Sequence, residues 1–362
     1  MSAMPVIVVE EDRVLRLVQV ILDTAAPPER VAAFADYMST DLPDFAGRLD
    51  ALRAEVPRLY CAEVRLVNTQ AELREQLPTA DVAIVESLEI SAAELSLAPK
   101  LALVQNFGMV TDNIDSAACR ARGVAIKTLR RRTNIAMAEH TLMLILALAK
   151  RLPLIDGLVT PGRLAAAGFA HRPYDTRHTA AANFGRIPGL RTLHGMTLGL
   201  LGCGEIGREV AGLARAFGMH VIYNKRGRLT PETEQALGVT YRPFDELFAT
   251  ADFVSVHIPL SDETRSLVDR TALERMKPGA MLVNTSRAQI VEHDALVDAL
   301  NSGRLGGAAL DVLYKEPDRE DEPLLSLPNA ILTPHLGGGS RINGLEDARE
   351  MLVEIDASLR RV

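Results

Sequence analysis

Residues 196–228, MTLGLLGCGEIGREVAGLARAFGMHVIYNKRGR, decide how this chain folds. Read from the left they give a strand, a glycine turn, a helix and a second strand. Residues 197–201 are a short apolar run, and Gly202, Gly204 and Gly207 follow as GxGxxG. From 205 to 217, Ile206, Val210, Leu213, Ala214 and Phe217 recur at helical spacing. Gly218 stops that helix, and residues 219–223 start the next strand. The three glycines do different things. One turns the backbone tightly, one lets it approach a pyrophosphate, and one lets helix and strand pack closely. The helix N-terminus then offers free N–H groups and the positive end of its dipole to the phosphates. A lone GxGxxG says little, because glycine turns are common. Set inside a strand–helix–strand unit of about 30 residues, it reads as a dinucleotide fingerprint. The competing reading is a structural βαβ turn without a ligand.

Outward from that stretch, 362 residues leave room for two or three domains. A hydrophobic share of 48% with 24% charged residues is that of an ordinary globular protein. The net charge of −7 gives no general attraction to nucleic acid or an anionic membrane, so any anion site must be local. Cys61, Cys119 and Cys203 are scattered, which argues against a disulfide framework and against a zinc site. The opening MSAMPVIVVEEDR lacks the basic start and long apolar core of a signal peptide. Residues 142–149 are apolar, but Lys150, Arg151 and Pro153 cut the run far short of the roughly 20 residues a membrane span needs. These features lead to the expectation of a cytoplasmic protein with no metal, nucleic-acid or membrane partner.

Before residue 130 the chain reads as a separate α/β domain. Residues 14–22 suggest a first strand, 27–52 a helical stretch broken near Pro43, and 64–67, 82–85, 101–105 and 123–128 further short strands. Short buried strands alternating with helices argue for a parallel sheet covered on both faces. Residues 134–150 are a strong helix, with Met137, Thr141, Leu144, Ile145 and Leu148 on one face. Residues 152–191 have little periodicity and suggest a long surface excursion of the kind that is often functional or interfacial. After the fingerprint come expected strands at 253–258, 279–285, 306–313 and 330–333, expected helices at 262–276 and 293–301, and an amphipathic tail at 342–360.

Ligands of open parallel sheets bind outside the carboxyl ends of the strands. Pro259 follows the first of these late strands, and Ser286 and Arg287 follow the second. The third carries Asp311 with Glu316 beyond it, and His335 follows the fourth. Taken singly, each is better read as a solvated loop residue. Taken together after a nucleotide fingerprint, they suggest one site. Reducing a 2-oxo acid needs a hydride, a proton for the carbonyl oxygen and a cation for the carboxylate. Arginine grips a carboxylate through two parallel hydrogen bonds. Histidine exchanges protons near neutrality, and a neighbouring carboxylate favours its charged form.

With these residues in place, the sequence resembles the D-isomer-specific 2-hydroxyacid dehydrogenases. The matching stretches are DNID at 112–115, AEHT at 138–141, LGLLGCGEIGREV at 198–210, MKPGAMLVNTSR at 276–287, ALDVLYKEP at 309–317 and TPHLGG at 333–338. The resemblance implies that Arg287 binds the substrate's carboxylate and carbonyl, that His335 is the general acid–base, and that Glu316 is its carboxylate partner. It implies cofactor contacts at Gly202, Gly204, Glu205, Ile206, Gly207, Lys225, Arg226, Pro259, Thr285 and Asp311, the last toward the nicotinamide carboxamide. Met109 and Val110 would hold the substrate carboxylate through their N–H groups. The implied architecture is α/β, with two doubly wound parallel-sheet domains. A flavodoxin-like substrate domain (1–131 plus 337–362) would carry an inserted Rossmann domain (132–336), with hinges near Arg132 and Gly337. Family members are commonly homodimers joined through the cofactor domain, with the irregular 152–191 segment as a contributor here.

Three departures from the family pattern stand out. The acidic residue that ends the second Rossmann strand and repels a 2′-phosphate is missing; Lys225, Arg226 and Arg228 stand there instead, which suits NADP better than NAD. Val110 replaces the glycine expected two residues before the aspartate of the DN pair. Arg130, Arg131 and Arg132 replace a turn, and read either as a surface charge run or as a selector for a second acidic group on the substrate. The sequence therefore suggests an NADPH-preferring reductase of a small 2-oxo acid such as glyoxylate or hydroxypyruvate. The rivals are an NAD-linked dehydrogenase of a larger or dicarboxylic acid and a nucleotide-sensing binding protein of the corepressor type.

Overall fold

The computed structural model describes residues 4–169 and 171–359. The chain divides into two compact units, Met1–Ala136 with Gly338–Val362, and Met137–Gly337. Each has its own sheet and its own pair of apolar cores.

In the first unit the strands are β1 (Val6–Glu10), β2 (Glu63–Val67), β3 (Val82–Val85), β4 (Leu103–Asn106) and β5 (Ala125–Lys127). All pair in parallel in the order β2-β1-β3-β4-β5, the flavodoxin-like doubly wound order. Successive side chains of β1 point to opposite faces: Ile7 and Val9 join one core cluster and Val8 the other. Each such fully buried aliphatic side chain contributes roughly 1.5–3 kcal/mol.

The expected first strand at 14–22 is a helix, Arg16–Leu22, and the first strand is β1, upstream of it. A continuous apolar run does not by itself separate a buried helix from a buried strand. Here VIVVE occupies the sheet position between β2 and β3. The Asp12 carboxylate then accepts hydrogen bonds from the Val14 and Leu15 N–H groups and starts the chain into the helix. The stretch at 27–52 forms two helices, Pro28–Ser39 and Phe45–Glu55, on either side of Pro43. The C-terminal helix Ile342–Ser358 completes this unit's core through Leu345, Met351, Leu352 and Ile355. Arg360, the expected end of that helix, lies outside the described residues.

The second unit carries β6 (Thr197–Leu201), β7 (His220–Asn224), β8 (Val239–Tyr241), β9 (Phe253–Val256), β10 (Ala280–Asn284), β11 (Leu305–Leu310) and β12 (Ala330–Leu332). They form one parallel sheet, β12-β11-β10-β9-β6-β7-β8. Numbered within the unit, that is the Rossmann order with one strand added, and the order reverses between β6 and β9. Met281 and Val283 of β10 face one core and Leu282 the other, as the pleat requires.

Several expected elements come out shorter, two of them with consequences for the site. The helix expected over 262–276 is only Arg270–Arg275, capped by Asp269. Upstream of it, Ser266 takes a left-handed φ of 52°, and Val268 makes an isolated bridge to Val291 that holds the backbone extended. β11 ends at Leu310, so Asp311 stands just past the strand. The 152–191 excursion holds two short helices, Leu152–Ile155 and Pro161–Ala166. It is tied back where the Arg191 N–H donates to Ala149 O and the Arg191 guanidinium to Gly279 O. Among the described residues, no helix is long and apolar enough to cross a membrane, and no group of three or more His, Cys, Asp or Glu side chains is placed to hold a metal ion.

Candidate active site

The glycine loop leaves β6 at the point where the strand order reverses. Gly202 has φ 99°, and a Cβ there would sit 2.2 Å from His257 O, so no other residue fits. Its N–H donates to Asn224 O, fastening the loop to the end of β7. A Cβ on Gly207 would lie 2.7 Å from Gly202 O, which is the close helix–strand packing expected of the third glycine. Around Gly204, by contrast, a Cβ would meet nothing within 4 Å. Gly204 is also the N-cap of helix Glu205–Ala216, and no side chain caps that end. The first helical N–H groups are therefore left for an anion. Backbone crowding at two glycines and open space at the middle one make a cradle that fits a dinucleotide pyrophosphate.

Of the other expected cofactor residues, Glu205 and Ile206 occupy the first two helical positions and are half-buried. Lys225 and Arg226 follow β7 directly. Arg226 reaches Glu263 at 3.1 Å through two well-exposed side chains, a pair worth little in water. Arg228 is committed elsewhere: it pairs with Glu234, which also accepts from the Tyr223 hydroxyl. Pro259 is exposed just beyond β9, its carbonyl accepting from the Thr264 hydroxyl. Between them His257 is enclosed beside Ser255 Oγ at 2.8 Å, and burial lowers its pKa to about 4, so it is neutral at neutral pH.

Arg287 stands after β10 on a turn built by Asn284. The Asn284 side chain accepts from the Ser286 N–H and donates to Arg287 O, while the Ser286 hydroxyl donates to Val256 O. This fixes the Arg287 backbone and leaves its side chain exposed. Thr285 is buried, its hydroxyl 3.2 Å from that of Thr141.

Glu316 and His335 meet. The ring Nδ1 of His335 lies 2.9 and 3.0 Å from the two Glu316 carboxylate oxygens. With Nδ1 facing a carboxylate, Nε2 is the nitrogen left for a reacting group. The Leu313 N–H holds Glu316 Oε1 from the other side. Burial pushes the Glu316 carboxyl upward, but the His335 and Leu313 hydrogen bonds and the charges of His335 and Arg287 outweigh it. Its pKa is lowered, so the carboxylate persists through the neutral range and is lost only in acid. Because the charge of Arg287 acts on Glu316, the three expected catalytic residues share one neighbourhood at the carboxyl ends of β10, β11 and β12.

His335 takes a left-handed backbone, φ 56°, which is uncommon for a non-glycine residue. Asp311 holds it there. Fully buried, Asp311 accepts from the Leu336 N–H and the Thr333 hydroxyl at Oδ1 and from the Gly337 N–H at Oδ2. Nε2 of His140 lies 3.1 Å from the same Oδ1 and 3.3 Å from the Thr333 hydroxyl. The structure thus gives Asp311 an anchoring role beyond the cofactor contact expected of it. It gives His140 and Thr333 roles that residue type alone did not disclose, although both lie in the AEHT and TPHLGG stretches.

In the first unit, Met109 and Val110 follow β4. Met109 is exposed, and Val110 O accepts from the Asn106 side chain. Arg131 stacks over Phe107 with its Cζ 4.1 Å from the ring centroid and pairs with Glu86 at 2.7 Å. Arg132 pairs with Asp347 and Glu350. Arg131 and Arg132 are therefore occupied within their own unit.

A Rossmann sheet, a glycine cradle at its switch point and an Arg–Glu–His group at the neighbouring strand ends define a dinucleotide-dependent oxidoreductase. Comparison with known proteins carries this one step further. The family described as "D-isomer specific 2-hydroxyacid dehydrogenase, NAD binding domain" matches residues 142–337. Glyoxylate reductase of Thermococcus onnurineus is 34% identical over 82% of this chain and 84% of its own length. D-3-phosphoglycerate dehydrogenase of Mycobacterium leprae is 36% identical over 77% of this chain and 49% of its own length. A solved structure from Thermus thermophilus is 31% identical, covers 98% of this chain and 97% of its own, and superposes with a TM-score of 0.51. The chain belongs to the D-isomer-specific 2-hydroxyacid dehydrogenase family, and it is an NAD(P)-dependent oxidoreductase of that family.

Proposed function

We propose that the protein reduces a small 2-oxo acid to the D-2-hydroxy acid with NADPH as preferred cofactor, and that glyoxylate and hydroxypyruvate are its default substrates. The observation that carries this reading is the His335–Glu316 pair beside Arg287, at the ends of the same sheet that bears the glycine cradle. The resemblance to a glyoxylate reductase supports the substrate class.

Residues 202–207 would hold the pyrophosphate by backbone N–H groups, with Glu205 and Ile206 opening the helix. Pro259, Thr285 and Asp311 would border the nicotinamide end. A dinucleotide held there would supply the hydride. Arg287 binds the substrate carboxylate through two parallel hydrogen bonds and polarises the carbonyl. His335, protonated at Nε2, would give that proton to the substrate's carbonyl oxygen. Glu316 holds the Nδ1–H and stabilises the charged ring. The first unit is the substrate domain and the second the cofactor domain. The protein acts in the cytoplasm as a homodimer, whose contact includes the excursion with exposed Val159, Phe184 and Leu190.

A panel of glyoxylate, hydroxypyruvate, pyruvate, a bulky aromatic 2-oxo acid and 2-oxoglutarate, run with NADPH and with NADH, tests this reading. The expected result is turnover of the two small acids, with kcat/KM at least about tenfold higher with NADPH. Lys225→Asp restores the missing acidic residue and reverses that preference. A wild-type ratio favouring NADH would overturn the cofactor preference, and turnover of the bulky or dicarboxylic acids alone would overturn the substrate class.

The pH dependence has a definite sign. Burial pushes the Glu316 carboxyl upward, but the His335 and Leu313 hydrogen bonds and the charges of His335 and Arg287 hold it below its ordinary value, so its carboxylate is present at neutral pH and is lost as the pH falls through that lowered value. Activity that depends on this carboxylate falls on the acid side, and Glu316→Gln removes that acidic limb together with most of the rate. A Glu316→Gln enzyme with the wild-type rate and acidic limb would show that the Glu316 carboxylate has no part in the reaction.

A further inference from the structure

Lys225, directly after β7, is not the only basic side chain near the glycine loop. Arg208 sits on the helix that opens from that loop, its N–H donating to Gly204 O. Its side-chain Nε is buried and has no hydrogen-bond partner among the described residues. Arg208 makes no ion pair among the described residues. A buried, unsatisfied guanidinium nitrogen is costly, and native proteins normally supply it with an acceptor. Lys225 stands close by. Gly202 N–H bonds to Asn224 O, so the loop and the residue after β7 are fastened side by side. Burial raises the pKa of the Cys203 thiol in the glycine loop to about 11, while the charges of both Arg208 and Lys225 act on it in the opposite direction. Both cations therefore act on the loop after β6 that is fastened to the end of β7, where the adenosine ribose of a dinucleotide lies. Arg228 is spent on Glu234, and Arg226 on the exposed Glu263.

We infer that Arg208 is a specificity-determining residue that, together with Lys225, grips the 2′-phosphate of NADPH. This rests on the NADPH preference proposed above and names a residue outside the strand-end run that decides it. The terminal guanidinium nitrogens, rather than the enclosed Nε, present N–H donors to the phosphate oxygens. NAD has a hydroxyl there and leaves the cation without a counter-charge.

The test is equilibrium binding, which needs no turnover: titration calorimetry of NADP+, NAD+ and 2′,5′-ADP on wild type, Arg208→Gln, Arg208→Lys and Lys225→Ala. The expected result is a ten- to hundredfold weaker Kd for NADP+ and 2′,5′-ADP in Arg208→Gln, the range for losing a charge-assisted contact. NAD+ affinity stays within about twofold, Arg208→Lys recovers part of the loss, and Lys225→Ala shows the same selective loss. The unchanged NAD+ titration reports a folded cofactor domain. If Arg208→Gln weakens NADP+ and NAD+ equally, or neither, the role assigned to Arg208 is overturned while the preference stands. If wild type binds NADP+ no tighter than NAD+, the cofactor reading itself is overturned and this inference falls with it.

Discussion

Replacing His335 by alanine lowers kcat for 2-oxo-acid reduction by about a thousandfold, within the range for losing a positioned general acid. Cofactor affinity stays within a few-fold of wild type, because His335 lies past β12 and the glycine cradle past β6. The loss is in kcat more than in KM, since the proton is needed only as the carbonyl oxygen gains charge. His335→Asn leaves a polar side chain that cannot carry the proton and is no better than alanine. Asp311→Asn gives a related but smaller loss. It weakens the acceptor for the Leu336 and Gly337 N–H groups and relaxes the left-handed His335 backbone. Stopped-flow single turnovers with saturating NADPH measure the proton-coupled step directly. A His335→Ala enzyme turning over within tenfold of wild type would remove His335 from the mechanism.

The second large effect is expected at Arg287. Arg287→Ala lowers kcat/KM by about a hundred- to a thousandfold, or about 3–4 kcal/mol of transition-state stabilisation. Unlike the histidine variant, it raises KM strongly, because the carboxylate is gripped in the ground state as well. Arg287→Lys recovers little, since an ammonium keeps the charge without the planar two-point fork. Removing the Arg287 charge also takes away one influence holding the Glu316 carboxyl low, so the acidic limb of the profile moves toward higher pH. Initial rates over a range of glyoxylate concentration and pH separate these effects. A lysine variant as active as wild type would show that charge alone suffices.

Much of this was legible in the sequence because backbone geometry constrained it. The glycine turn demands a left-handed Gly202 and close packing at Gly207, and few sequences other than GxGxxG meet both. The late strands were legible because each is a short, mostly apolar run followed at once by a polar residue: His257, Thr285, Asp311 and Thr333. The first unit was harder to read. VIVVE at 6–10 and the run at 14–22 are both apolar, and only the pairing of β1 with β2 and β3 settles which of them is the strand. The helix expected over 262–276 is cut short because a bridge between Val268 and Val291, distant in sequence, overrides local propensity.

At the site, residue types foretold the His335–Glu316 pair, but not what positions it. Asp311 reads as a cofactor contact until its two oxygens are seen to accept from the 333–337 loop. In sequence His140 reads as a packing or hinge residue on the long helix, because its partner Asp311 lies far along the chain on another element. The arginine run at 130–132 could not be apportioned from sequence either, because Glu86, Asp347 and Glu350 lie far from it along the chain.

The most direct test of the central claim follows the hydride itself. Glyoxylate reduction yields no chiral alcohol, so the substrate is hydroxypyruvate and the cofactor is NADPH deuterated at the transferring position of nicotinamide C4. The account predicts deuterium at C2 of the product, in the D-hydroxy acid only, with the labelled product nearly abolished in His335→Ala. Recovery of the L-isomer, or cofactor oxidation without label at C2, would contradict it.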